Sequence, residues 1–565
     1  MIPGAQALLR VFQEENVDVF FGYPGGSVIP IFDALVDAEH VRHVLPRHEQ
    51  GAAHAADGYA RVTGKTGVCM ATSGPGACNL VTGIANAYMD SIPMVAITGQ
   101  VKTNLVGTDA FQEADITGVT IPITKHNYLI KDPHEIERFP DILREAFYLA
   151  RSGRPGPVLV DIPSDVAAGP VPWVPRNIEG LDGYEEPPLP SDAEIDQAAE
   201  MIENAERPVI MIGGGVVHSG AHEEIRALVD KCNIAVVHTL MAKGCFPETH
   251  TLSMGMPGMH GMSSASYALH NADLLIVIGA RFDDRITGDL NRFAVGASVI
   301  HIDIDPAEID KVRHANVGIV ADAKAATRAL IEAVNARGAG EWEEHLQQIK
   351  LAHPLGYTDD QELMPPQLVV EKLYEVTDGK AIVTTEVGQN QMWAAQYYPL
   401  DEPRKWCTSG GLGTMGYGHP AAVGAQVGRP GELVVDVAGD GSIQMCMQEL
   451  TTGVIEKLPY KIIILNNSYL GMVRQWQDMF YSKRYSGVDL TGNPDFVRLA
   501  EAHGAAGLRC KDRDKVVETL EQAMEVDDRP VMVDFAVALE ENVFPFIPAG
   551  QSYDEIIHCP RREAE

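Results

Sequence analysis

The sequence predicts an α/β protein made of three doubly wound parallel-sheet domains, and two observations carry that reading. Short β-branched runs recur, each followed by a glycine turn and then a helical pattern, which is the rhythm of βαβ units around a parallel sheet. The chain has 565 residues, and at about 150 residues per domain that length predicts three or four such blocks.

In the first block, residues 17–21 lead into Tyr23-Pro24-Gly25-Gly26, 68–71 into Ser73-Gly74-Pro75-Gly76, and 94–97 into Gly99-Gln100. The block closes with the run 158–162, so the first domain is placed at 1–168. Pro170, Pro172, Pro175, Pro187, Pro188 and Pro190 follow, a linker composition. The second block opens with 208–212 and Gly213-Gly214-Gly215, continues through 274–278 and 299–304, and defines a domain at 190–335. Gly338, Gly340, Pro354, Pro365 and Pro366 mark the next connection. Strand-like runs at 381–385, 433–437 and 461–465 define a third domain at 365–550.

Hydrophobic residues make up 45% and charged residues 22%, which excludes disordered and collagen-like chains. With 44 Lys+Arg against 78 Asp+Glu the formal charge is −34. Such a surface repels phosphate backbones and anionic lipid, so neither nucleic acid nor membrane is an expected partner. The apolar runs, such as 274–278, fall far short of the ~18 residues of a membrane span. The N-terminal stretch carries Glu14, Glu15 and Asp18 rather than a basic-then-apolar signal. The eight cysteines form no CxxC pair. Reduced, buried thiols in a cytoplasmic protein are the expectation.

Two runs of the third block end in polar turns. Residues 433–437 give way to Gly439-Asp440-Gly441-Ser442, and 461–465 to Asn466-Asn467. If these strands are parallel neighbours, their C-terminal ends lie side by side on the rim where open α/β sheets bind ligands. Asp440 and Asn467 then offer two oxygen donors to one small hard cation such as Mg²⁺. Apolar residues at Ile443, Cys446, Met447, Leu450 and Val454 predict a helix directly after Ser442, whose free N–H groups suit a diphosphate. A lone Gly-Asp-Gly is usually a plain turn; its pairing with Asn-Asn at the next strand end is far more specific. Glu49, after the run 41–45, opens an alanine-rich stretch; read alone, it is a first-turn glutamate favoured by the helix dipole.

With these residues the chain resembles the thiamine diphosphate enzymes, and over nearly its whole length the catalytic large subunits of the acetolactate synthase (acetohydroxyacid synthase) family. The resemblance rests on Gly22-Tyr23-Pro24-Gly25-Gly26, Arg47-His48-Glu49-Gln50-Gly51-Ala52, Thr108-Asp109-Ala110-Phe111-Gln112-Glu113, Ile123-Thr124-Lys125-His126-Asn127-Tyr128, Arg281-Phe282-Asp283-Asp284-Arg285, Gly471-Met472-Val473-Arg474-Gln475-Trp476-Gln477 and Asn542-Val543-Phe544-Pro545. It implies a pyrimidine-binding first domain, an FAD-binding central domain and a diphosphate-binding third domain. It implies thiamine diphosphate between the first domain of one subunit and the third domain of another, hence a homodimer or homotetramer. A small regulatory subunit is a frequent partner in the family.

The resemblance further implies Mg²⁺ on Asp440, Asn467 and the main-chain carbonyl of Tyr469. It assigns Glu49 to the thiamine pyrimidine nitrogen, and Gly388, Gln389, Asn390, Gly413, Met415, Gly441, Ser442, Met445, Met472 and Val473 to the rest of the coenzyme, with Met415 as the wedge that bends it. Gly26, Phe111, Gln112, Lys125 and Trp476 fall near the acceptor channel, Gln112 and Lys125 with catalytic roles. The plainer readings are a solvated charge for Lys125 and core positions for Phe111 and Trp476. For FAD it implies Arg154, Gly213, Gly214, Met259, His260, Gly261, Gly279, Arg281, Asp283, Arg285, Asp303, Asp305 and Asp322; the alternative is that these Arg and Asp residues pair with one another. The FAD-free branch of the family lacks the run 281–285, so FAD here is expected to be structural.

The implied activity is condensation of pyruvate with a second pyruvate or with 2-ketobutyrate, through a thiamine-bound hydroxyethyl carbanion, in branched-chain amino acid biosynthesis. Trp476 suggests preference for the larger acceptor. A pyruvate oxidase-like flavoenzyme, a simple 2-ketoacid decarboxylase and a catalytically inert nucleotide-binding protein are the rival readings. Two positions depart from the family: Ser164 where lysine is common, and Asn390 where histidine is usual. Weaker or retuned coenzyme binding is expected from Asn390.

Overall fold

The computed structural model describes residues 1–559 except 177, 179 and 358–362. Three six-stranded sheets, each wholly parallel, form the architecture. The chain is therefore of the α/β class, with helices covering both faces of buried strands. The strands contain near-continuous Val, Ile, Leu and Met, as Leu274–Ile278 (LLIVI) shows.

The first sheet has the strand order Arg42–Val44, Val19–Gly22, Gly67–Ala71, Met94–Gln100, Pro157–Pro163, His126–Leu129. The second runs Ser253–Gly255, Ala235–His238, Pro208–Ile212, Leu274–Ile278, Ser298–Asp303, Val317–Val320. The third runs Trp406–Cys407, Ile382–Thr385, Val434–Gly439, Lys461–Asn466, Val531–Ala536, Ala506–Cys510. The proline-rich connection begins inside the fold: Pro170–Val171 pairs antiparallel with Ile2–Pro3.

The first and third domains are joined through two helices, Glu49–Thr63 and Gly418–Gly428. Close approach requires glycine at the crossing. A Cβ on Gly58 would fall onto the backbone of Ala421, and one on Gly424 onto that of Ala55. Below the crossing Arg61 pairs with Asp57 (2.6 Å) and Asp90 (2.8 Å), both buried.

One local expectation is corrected. No helix starts directly after Ser442. Residues Ile443–Met445 form a single 3₁₀ turn, and the α-helix begins at Glu449. Cys446 leaves helical geometry (φ −133°, ψ 28°), with its carbonyl on the ring of buried His419 at 3.1 Å. The turn after Asp440 is thus held tight, and its free N–H groups belong to a 3₁₀ turn. Six cysteines are buried, Cys559 is half-buried and Cys78 is exposed; none forms a disulfide. Among the described residues no helix is long and apolar enough to cross a membrane.

Candidate active site

The strands Val434–Gly439 and Lys461–Asn466 are parallel neighbours, with Gly439 opposite Leu465. Their ends therefore deliver Asp440 and Asn467 side by side, and both line a cavity of about 90 Å³ at the rim of the third sheet. Gly388, Gln389, Asn390, Met415, Gly441, Ser442, Tyr469, Met472 and Val473 line it too. Of the sequence-predicted coenzyme positions in this domain, Gly413 lies instead on the larger cavity described below, and Met445 stands at the surface, 54% exposed.

Asp440 is 1% exposed, and burial pushes its carboxyl up to about 7. Asn493 Nδ2 donates to its Oδ2 at 2.6 Å, and Gln444 Nε2 to its main-chain oxygen at 2.8 Å. Asn467 Nδ2 donates to Gln389 Oε1 at 3.1 Å, and the amide of Tyr469 donates to Asn467 Oδ1 at 3.2 Å. Gln389 is held in turn by Gln475 Oε1 and the carbonyl of Glu541, both at 3.0 Å. These bonds fix one carboxylate and one amide oxygen at the same rim. Asn390 Nδ2 donates to the carbonyls of Glu386 (3.0 Å) and Val437 (2.8 Å) and so ties two strand ends together. Asn493, Gln444 and Gln475 are not legible as site residues in the sequence, since nothing local distinguishes them from surface amides.

Among the described residues of one chain, none from the first domain lines this cavity. Glu49 caps its own domain's rim: Asn79 Nδ2 donates to its Oε2 at 2.9 Å, and a Cβ on Gly76 would crowd its Oε1 at 3.3 Å. Gln112 stands beside Gly74, in a left-handed conformation (φ 59°), on a loop held by Glu113, which accepts the amides of Gly107, Thr108 and Ala110. Glu49, Gln112 and Gly26 thus gather at the C-terminal edge of the first sheet. Phe111, beside them, is 87% exposed, so it is not a core residue. Lys125 is not a solvated charge: its ammonium donates to the carbonyls of Leu149 (2.5 Å) and Ser152 (2.7 Å), and burial lowers it to about 8.

A second cavity, of about 770 Å³, lies where all three domains meet. It is lined by Arg154, Gly214, Met259, His260, Gly279, Arg281, Asp283, Arg285, Asp303 and Asp322. Gly213 and Gly261 are buried against backbone, where a Cβ would fall onto Gly279 and Pro257, so packing requires glycine at both. Asp305 pairs with Arg154 at 3.1 Å, as does Glu308 at 2.7 Å; burial opposes the arginine's charge, but these partners outweigh it. Asp322 and Asp283 spend one oxygen each on helix caps, Asp322 on the amides of Lys324 and Ala325, Asp283 on that of Arg285. Arg281 and Arg285 reach carboxylates only loosely, at 4.0 and 3.5 Å. Burial pushes Asp303 up to about 6 and His260 down to about 3. Val387 and Met472 line both cavities, and Trp476 lines the larger one where it approaches the smaller.

Comparison with known proteins agrees with this layout. Residues 2–119 match the N-terminal thiamine pyrophosphate-binding domain of thiamine pyrophosphate enzymes, 195–330 their central domain, and 386–535 their C-terminal thiamine pyrophosphate-binding domain. Fold and rim together define a thiamine diphosphate-dependent enzyme. The chain is 51% identical to the acetolactate synthase large subunit of Corynebacterium glutamicum, covering 98% of this chain and 90% of that one. It is 51% identical to the acetolactate synthase of Mycobacterium bovis over 98% and 91%, and 44% identical to the acetolactate synthase isozyme 3 large subunit of Escherichia coli over 98% of each. The chain belongs to the family of acetolactate synthase large subunits.

Proposed function

We propose that the chain condenses two pyruvates, or pyruvate and 2-ketobutyrate, with loss of CO₂, to 2-acetolactate or 2-aceto-2-hydroxybutyrate, the first common step of branched-chain amino acid synthesis. The observation that carries this reading is the side-by-side delivery of Asp440 and Asn467 at one rim, in a chain that aligns end to end with acetolactate synthases.

The residues fit the implied groups. One carboxylate, one amide oxygen and the nearby carbonyl of Tyr469 form an oxygen donor set suited to Mg²⁺, which completes its shell with water and phosphate oxygens. A cation at that point would offset the cost of burying the Asp440 charge. The larger cavity has the size and mixed polarity of a cofactor site. Its arginines without close carboxylate partners suit the phosphates of FAD, and Asp303 suits a ribose hydroxyl.

Bound thiamine diphosphate supplies the carbon nucleophile and electron sink for decarboxylation and carbon–carbon bond formation. The chain's own residues do the rest. Glu49 holds the proton at the pyrimidine nitrogen. Met415, Met472 and Val473 exclude water and shape the coenzyme. Gln112, Phe111, Gly26, Lys125 and Trp476 bound the acceptor channel. Glu49 and Asp440 lie on different rims within one chain, and the apolar Phe111, Met445 and Val473 are each at least half exposed. A second copy that covers them would bring a first-domain rim onto a third-domain rim, so the working unit is a homodimer or a homotetramer. The relatives' "large subunit" names support a small regulatory partner, and the location is cytoplasmic.

Product analysis with pyruvate alone tests the reading. Acetolactate that requires both thiamine diphosphate and Mg²⁺ is expected. Acetaldehyde as sole product, or stoichiometric anaerobic bleaching of FAD by pyruvate without acetolactate, overturns it in favour of a decarboxylase or an oxidase.

A further inference from the structure

A carboxyl that shares a proton with a ring nitrogen must be placed to within a fraction of an ångström. Asn79 fixes one oxygen of Glu49 from within the first domain. A second constraint comes from the third domain of the same chain. Glu449, the first residue of the helix Glu449–Ile455, is 1% exposed. Both of its oxygens accept the main-chain amide of Arg47 at 3.0 Å. Thr452 Oγ1 donates to Glu449 Oε2 at 2.7 Å.

The backbone two residues before Glu49 is thus pinned by a carboxylate from another domain. The local sequence accommodates it. A Cβ on Gly51 would fall onto Glu449 Oε1, so only glycine lets the helix come this close. His48 Nδ1 meanwhile accepts the amide of Gln50 at 3.1 Å and caps the helix whose first residue is Glu49. Without Glu449 the amide of Arg47 would lose its partner at the domain junction, and the helix start would be free to shift.

We propose that Glu449 is a positioning residue for Glu49, setting the helix start so that the Glu49 carboxyl reaches the thiamine pyrimidine. The inference rests on the role proposed above for Glu49. It is tested on holoenzyme by the rate of hydrogen–deuterium exchange at C2 of bound thiamine diphosphate, alongside thermal unfolding and thiamine diphosphate titration. Glu449→Ala is expected to slow exchange by about tenfold or more while the coenzyme still binds. Glu449→Gln, of the same shape and with one oxygen left to accept an amide, is expected to recover part of that loss. If both variants exchange at the wild-type rate, with at most a lowered unfolding temperature, Glu449 is merely structural and the proposal fails. Should the alanine variant not fold, the isosteric glutamine variant decides by the same comparison. Glu49→Gln run in parallel separates the two levels: wild-type exchange in that variant overturns the reading of Glu49 itself.

Discussion

The carboxylate of Glu386 accepts the main-chain amide of Gly416 at 2.7 Å, so the turn that carries Met415 hangs from the end of the strand Ile382–Thr385. The amide of His419 reaches the same carboxylate at 3.1 Å. Burial pushes the pKa values of Glu386 and neighbouring Asp436 up, and the proximity of Glu386 adds to the shift on Asp436.

Removing this anchor has a defined outcome. Glu386→Ala strands the amides of Gly416 and His419, each at a cost of about 1–3 kcal/mol, and frees the Met415 turn. A lower unfolding temperature together with a raised requirement for thiamine diphosphate is expected. Thermal melts with coenzyme titration check it, and unchanged coenzyme affinity would place the effect in stability alone.

Asp161 gives a pH prediction. It is 1% exposed, takes bonds from Thr98 Oγ1 (2.7 Å) and Gln100 Nε2 (2.9 Å), and is pushed by burial to about 7. Its folded value lies above its unfolded one, so the folded state binds the extra proton between about pH 4 and 7. The stability linked to that proton is fully present at the acid end and is lost as pH rises through 7. Asp161→Asn keeps a neutral group of the same shape throughout. Relative to the variant, the wild type should lose stability as pH rises from 4 to 7, by at most about 4 kcal/mol. Parallel unfolding curves at every pH would contradict this.

Asn390 stands where the resembled family usually has histidine. Its amide satisfies two carbonyls, and an imidazole in the same place can donate to only one at a time with a single ring N–H. Asn390→His is therefore expected to lose about 1 kcal/mol of stability and to change the apparent affinity for thiamine diphosphate. Activity titrated against the coenzyme measures the second effect; an unchanged affinity would show that the residue ties strands and nothing more.

Trp476 faces the larger cavity, with its ring 5.4 Å from that of Phe480 and 6.3 Å from that of Phe546. Loss of that broad apolar contact in Trp476→Leu should lower the share of 2-aceto-2-hydroxybutyrate when pyruvate and 2-ketobutyrate compete. An unchanged product ratio would remove Trp476 from acceptor choice.

What could be read from the sequence was what is local. Asp440 and Asn467 each end a strand with a recognisable turn, so their pairing followed once the strands were taken as neighbours. Helical spacing after Ser442 misled because Cys446 breaks the backbone to give its carbonyl to His419, a contact 27 positions away. Gly213 packs so closely on Gly279 that a Cβ would fall onto its carbonyl oxygen, a contact that the sequence around it does not announce. Asn493 lies 53 positions from Asp440, and Glu449 lies 402 from Arg47. Only the folded chain brings such partners together, and no pattern around either residue announces it.

The central claim is that Glu49 of one subunit and Asp440 of its partner serve a single coenzyme. Mixing two variants, Glu49→Gln and Asp440→Asn, after dissociation and reassociation tests it most directly. Each variant alone should be inactive. If sites are shared, a mixed dimer holds one site with both native groups, and random mixing should restore about a quarter of wild-type activity. If each chain builds its own site, every site in every mixed dimer carries a lesion, and a mixture as inactive as its components would contradict the account.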